Sequence, residues 1–130
     1  MKVSLLAGFF LLLLPGIALA NRLEVGEGEA GKDLVLGRGD VLTVSLPANP
    51  TTGYSWSVAC TPAGVLKQVG ESRFETSGHC QGMVGVGGRQ LWKFRAVSPG
   101  QTRLTFSYSR PWEHDVAPAR LIQWPITIRR

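Results

Sequence analysis

Cysteine and histidine are scarce in this chain: Cys60, Cys80, His79 and His114 are all that 130 residues contain. Neither pair has the close ligand spacing of a zinc site, so no metal and no other cofactor is expected. Long apolar runs are confined to the first twenty residues. There Lys2 gives a positive start, Leu5 to Leu14 an apolar stretch, and Ala18-Leu19-Ala20 a small-x-small cleavage pattern. This reads as an export signal removed from the mature protein. The run is shorter than the roughly 20 residues of a membrane span. Asn21, and not a cysteine, follows it, so no lipid anchor is indicated. Residues 21–130 are expected to form one periplasmic or secreted domain without a membrane partner.

Clustered charge is missing too. Without the signal, 13 basic and 9 acidic side chains remain, a net of +4. The basic ones are scattered (Arg38, Arg73, Arg89, Arg103, Arg120), with Arg129 and Arg130 adjacent. A nucleic-acid partner would want them on one face, so none is expected, and mild attraction to an acidic protein surface is the most this balance supports. In an exported domain, two cysteines imply a Cys60–Cys80 disulfide, with a free nucleophilic thiol as the alternative. The bridge would close a loop of about 20 residues and contribute roughly 3 kcal/mol.

No stretch of the mature chain carries a helical period; alternation with a period of two dominates. Leu42, Val44 and Leu46 alternate with Thr43 and Ser45, and Trp56 and Val58 with Ser55 and Ser57. The same pattern recurs at Trp92, Phe94 and Ala96, at Leu104, Phe106 and Tyr108, and at Ile122, Trp124, Ile126 and Ile128. Leu23 to Val25, Lys32 to Leu36 and Leu66 to Val69 are shorter strand candidates, and Ser98-Pro99-Gly100 is a tight turn. Pro125 lacks an N–H, which predicts a sheet edge or a local break for the last strand. Seven to eight short strands separated by Gly/Pro turns predict an all-β, immunoglobulin-like sandwich, with Leu42, Val44, Leu46, Trp56, Val58, Trp92, Phe94, Leu104, Phe106, Ile126 and Ile128 filling the core.

Three connections stand out from that framework. Asn49-Pro50-Thr51-Thr52-Gly53 is short, polar and stiffened by proline, the shape of an exposed tip. Gly82 to Gly88 lacks the Lys-Ser/Thr of a phosphate loop and leads into a strand. Main-chain pairing with a partner suits it better. Arg110-Pro111-Trp112 places two residue types enriched at binding hot spots beside Glu113, His114 and Asp115. No Gly-x-Ser-x-Gly elbow is present, and His114-Asp115 reads as solvated loop polarity, so the chain is not expected to be an enzyme. An adhesion or scaffold module is the alternative, which would leave the three connections unexplained.

Taken in order, Asn49 to Gly53, Gly85 to Gly88 (with Val86 and Gly87 between) and Arg110 to Trp112 resemble the motifs of the chagasin-type inhibitors of papain-like cysteine peptidases. The likeness extends to Tyr54-Ser55-Trp56 and Tyr108-Ser109, and covers most of the chain after Val41. The cysteine pair is not part of the family's pattern. The resemblance implies an immunoglobulin-like sandwich with the three loops at one end as a wedge. It places Thr51 and Thr52 over the catalytic cysteine of a papain or cathepsin L-type enzyme. The glycine loop would lie along the non-primed subsites, and Trp112 with Arg110 on the primed side. A monomer acting by reversible, competitive inhibition is expected.

Overall fold

The computed structural model describes residues 21–76 and 87–130. The expected export signal, and Cys80, Gly85 and Val86, lie outside the described residues. Nine strands are described: β1 (Arg22–Gly26), β2 (Leu34–Gly37), β3 (Val41–Ala48), β4 (Ser55–Thr61), β5 (Leu66–Gln68), β6 (Arg73–Thr76), β7 (Gly88–Ala96), β8 (Gly100–Ser109) and β9 (Arg120–Arg129). They form two sheets of an immunoglobulin-like sandwich, one ordered β1-β3-β7-β5 with β6 also on β7, the other β2-β9-β8-β4.

Each sheet has a long antiparallel spine. β3 pairs with β7 from Val41↔Arg95 to Ala48↔Gly88, and β8 pairs with β9 from Gly100↔Ile128 to Tyr108↔Arg120. The first two strands then join these spines in parallel, β1 along β3 and β2 along β9. The period-two stripes explain why the sheets close on each other. Leu42, Val44, Leu46, Leu104, Phe106 and Trp124 are fully buried, and Phe94, Ile126 and Ile128 nearly so. Each such side chain contributes about 1.5–3 kcal/mol by leaving water. Phe106 is the hub: Trp92 and Phe94 of the opposite sheet and Trp124 and Trp56 of its own meet it edge-on, with centroids 4.8, 6.3, 5.8 and 6.4 Å away. Edge-to-face contact is the favoured arrangement of aromatic quadrupoles. Trp56 and Val58 are only half-buried against this core.

Two expectations change. β9 is not an edge strand; it lies between β2 and β8. Pro125 is tolerated there because of where its nitrogen points. The Gln123 carbonyl accepts from the Gly31 N–H, on the flank away from β8, at 2.9 Å. Pro125, two residues on, turns the same way and stands just before the β2 ladder begins at Leu34↔Ile126. The second change is β6, absent from the sequence reading, whose Arg73–Thr76 has one half-buried apolar residue, Phe74, and otherwise exposed side chains.

Candidate functional site

β3 and β7 end together at Ala48↔Gly88, and β4 begins opposite the last residue of β8 at Ser55↔Ser109. The connections that follow β3, precede β7 and follow β8 therefore leave the sandwich at one end.

Asn49 to Gly53 folds as a single 3-10 turn over Pro50–Thr52. Asn49 stays extended, as a residue before proline should, and its Oδ1 accepts from the Thr51 N–H (3.2 Å) and the Thr51 hydroxyl (2.6 Å). The Thr52 hydroxyl donates to the Asn49 carbonyl (2.7 Å) and accepts from the Tyr54 N–H (3.3 Å). Gly53 closes the turn at φ 84°, a left-handed conformation that costs glycine nothing. Pro50, Thr51 and Thr52 are exposed at the tip.

Arg110 to Trp112 is fastened to that turn. The Arg110 Nε–H donates to the Thr52 carbonyl at 3.3 Å, and the guanidinium lies 4.4 Å over the Tyr54 ring. Glu113 Oε2 stands 3.6 Å from Arg110 Nη1, across one turn of chain closed by the Glu113 N–H on the Arg110 carbonyl. Trp112 remains 62% exposed. Its ring edge nevertheless rests on Gly53, where a Cβ would collide with Cη2 and come within 3.2 Å of Cζ2.

Beneath both connections runs an aromatic ladder. Tyr54 stacks on Tyr108 at 5.2 Å, and Tyr108 leans on Trp56 at 4.6 Å. The Tyr108 hydroxyl accepts from the Asn49 N–H (3.2 Å), and the Trp56 Nε1–H donates to the Pro47 carbonyl (3.0 Å). Sequence reasoning set Tyr108 on the same side as Leu104 and Phe106 and did not find this bracing. The available signal was three large aromatics at the strand ends that flank two motif connections.

Of the glycine loop, Gly87 and Gly88 are described. A Cβ on Gly87 would lie 3.3 Å from the Ala48 carbonyl and 3.8 Å from Asn49 Cβ, so this segment emerges beside the turn. Gly88 is held between Ala48 and Thr76, and a Cβ there would collide with the Glu75 carbonyl and come within 2.8 Å of Thr76 Cα. Next along β7, Arg89 reaches sideways to Ser45 Oγ (2.6 Å), the Ser45 carbonyl (2.8 Å) and Glu27 Oε1 (2.7 Å), which holds the Glu27 carboxyl below its ordinary pKa.

Cys60 is a half-buried free thiol on β4, its pKa pushed up by burial, the reverse of an activated nucleophile. Its expected partner, Cys80, lies outside the described residues.

Residues 35–128 match the model of the chagasin family peptidase inhibitors, I42. Amoebiasin-2 of Entamoeba histolytica is 29% identical over 90 residues, covering 69% of this chain and 72% of its own. Chagasin of Trypanosoma cruzi is 26% identical over 93 residues, covering 68% of this chain and 82% of its own. The crystal structure of the cysteine protease inhibitor EhICP2 from Entamoeba histolytica superposes with a TM-score of 0.76 at 26% identity, over 85% of this chain and 97% of that one. With its sandwich, its motif connections and a family match over most of its length, this chain belongs to the chagasin family of peptidase inhibitors, proteins that are inhibitors and not enzymes.

Proposed function

We propose that the protein is an exported, reversible inhibitor of papain-like cysteine peptidases that fills the active-site cleft with the Asn49–Gly53 turn, the glycine loop and Arg110–Trp112. One observation carries the reading: Trp112 rests on Gly53 while Arg110 clasps the Thr52 carbonyl, so two motif connections form one continuous surface at the end where β7 starts. The similarity to EhICP2, itself a cysteine protease inhibitor, supports the class of target.

The chemistry needed from such an inhibitor is shape and stiffness. Pro50–Thr52 is a 3-10 turn whose threonine hydroxyls are engaged within the turn. It presents no extended peptide bond in attack geometry, so the wedge occupies the cleft without being cut. A turn already braced by its own hydrogen bonds loses little freedom on docking, and an interface of roughly 1,600 Å² can then bind tightly.

The test is titration of residues 21–130 into papain or a cathepsin L-type enzyme with a fluorogenic substrate, under reducing conditions. Stoichiometric or nanomolar loss of activity, with the domain uncleaved, is expected. A folded, intact domain that leaves several such peptidases fully active would overturn the proposal.

A further inference from the structure

The basic residues that look scattered along the chain are gathered by strand register. Arg22, Val41, Arg95 and Lys67 form one row across β1, β3, β7 and β5. The partners of this row on the buried side are Leu42, Phe94 and Ala96, so these four point outward. Lys93 faces out two residues along β7. These four cations, Arg22, Lys67, Lys93 and Arg95, are exposed, and none makes an ion pair among the described residues. Against them stand Glu24 in the Lys93 row, Glu71 in the turn after β5, and Asp40, whose carboxylate accepts from the Asn21 and Gly37 N–H groups. The outer face of the other sheet is different in kind: Ser55, Ser57, Ala59, Thr61, Thr105, Ser107, Gln123 and Thr127 surround Arg103, and the other charges on its strands, Arg120 and Arg129, stand at the two ends of β9.

We propose that this cationic face is a docking surface for an acidic polysaccharide. Strands lie about 4.8 Å apart, so the row from Arg22 to Lys67 spans about 14 Å, a linear array suited to a linear chain of sulfates or carboxylates. Guanidinium groups bind such oxyanions in bidentate fashion. Among the described residues the face carries no exposed aromatic ring on which a nucleic-acid base would stack. Nor do its strands carry an exposed large apolar side chain of the kind that anchors a protein in a bilayer interface. The row sits at the Val41 end of β3 and the candidate inhibitory site beyond Ala48, seven residues or about 23 Å away. Glycan and peptidase therefore occupy opposite ends, and the inhibitor is held on an acidic matrix with its loops free. That last consequence rests on the proposed inhibition; the docking itself does not.

Heparin affinity chromatography tests it without any peptidase. Retention above about 0.15 M NaCl, the physiological ionic strength, is expected. Lys67→Ser/Arg95→Ser should elute at clearly lower salt. Lys32→Ser/Arg103→Ser removes the same charge elsewhere and should shift elution less than half as far, with thermal unfolding confirming that both variants are folded. Flow-through of the wild type, equal shifts for the two variants, or stronger retention on DNA-cellulose or on phosphatidylglycerol vesicles would each overturn the proposal. Papain inhibition by Lys67→Ser/Arg95→Ser, measured separately, should equal that of the wild type.

Discussion

Trp112 leaves most of its indole in water while resting the ring edge on Gly53, so these two residues share one task. Trp112→Ala should weaken inhibition of papain by about 2 kcal/mol, roughly 30-fold in the inhibition constant, with the melting temperature unchanged. Unaltered inhibition would show that the third connection is no major contact. Gly53→Ala should be costlier, because the new methyl meets both an unfavourable φ of 84° and the tryptophan ring. About 1–2 kcal/mol of stability should be lost in denaturant unfolding, together with an inhibitory defect at least as large as that of Trp112→Ala. Gly88 fails for a different reason. The structure shows that a methyl first strikes the protein's own Glu75 carbonyl. Gly88→Ala should therefore lower the unfolding midpoint by the equivalent of about 1–3 kcal/mol before any peptidase is added.

Strand stripes were readable because one face of each strand is dry, and a period of two leaves no other way to bury Leu42, Val44 and Leu46 together. β6 was not readable: it joins β7 by main-chain pairing, with Phe74 the one apolar side chain in it to signal the strand. The position of β9 was misjudged because a proline forbids one hydrogen bond on one flank, not a place inside the sheet. The motif connections were legible as a resemblance, whereas the Tyr54–Tyr108–Trp56 ladder depends on a register that no local pattern encodes. Register also builds the Arg89 tie between β7, β3 and the turn after β1. Because Glu27 has a lowered folded-state pKa, its contribution is present above its unfolded pKa near 4.5 and disappears as pH falls through the folded value. Glu27→Gln should thus lower stability at pH 7 slightly, by less than about 1 kcal/mol for so exposed a pair. The difference from wild type should vanish in melts run at pH values below the carboxylate range.

In the sandwich as a unit, the two sheets are joined by a core centred on Phe106, with β8 carrying that residue and β9 packing beside it. Phe106→Ala should cost about 3–5 kcal/mol in denaturant unfolding, since four aromatic partners would face a cavity that a rigid sandwich closes poorly. That Arg22, Lys67, Lys93 and Arg95 share a face was equally hidden from sequence, for they come from three strands up to 73 positions apart in the numbering from Arg22 to Arg95. β9 lies between β8 and β2, and it is formed by residues 120–129. β2 pairs in this sheet with β9 and with no other described strand, so a chain still lacking these residues has nothing on which β2 can close. Pairing Leu34 with Ile126, 92 positions away in the numbering, makes that closure a contact of very long range, the kind that slows folding.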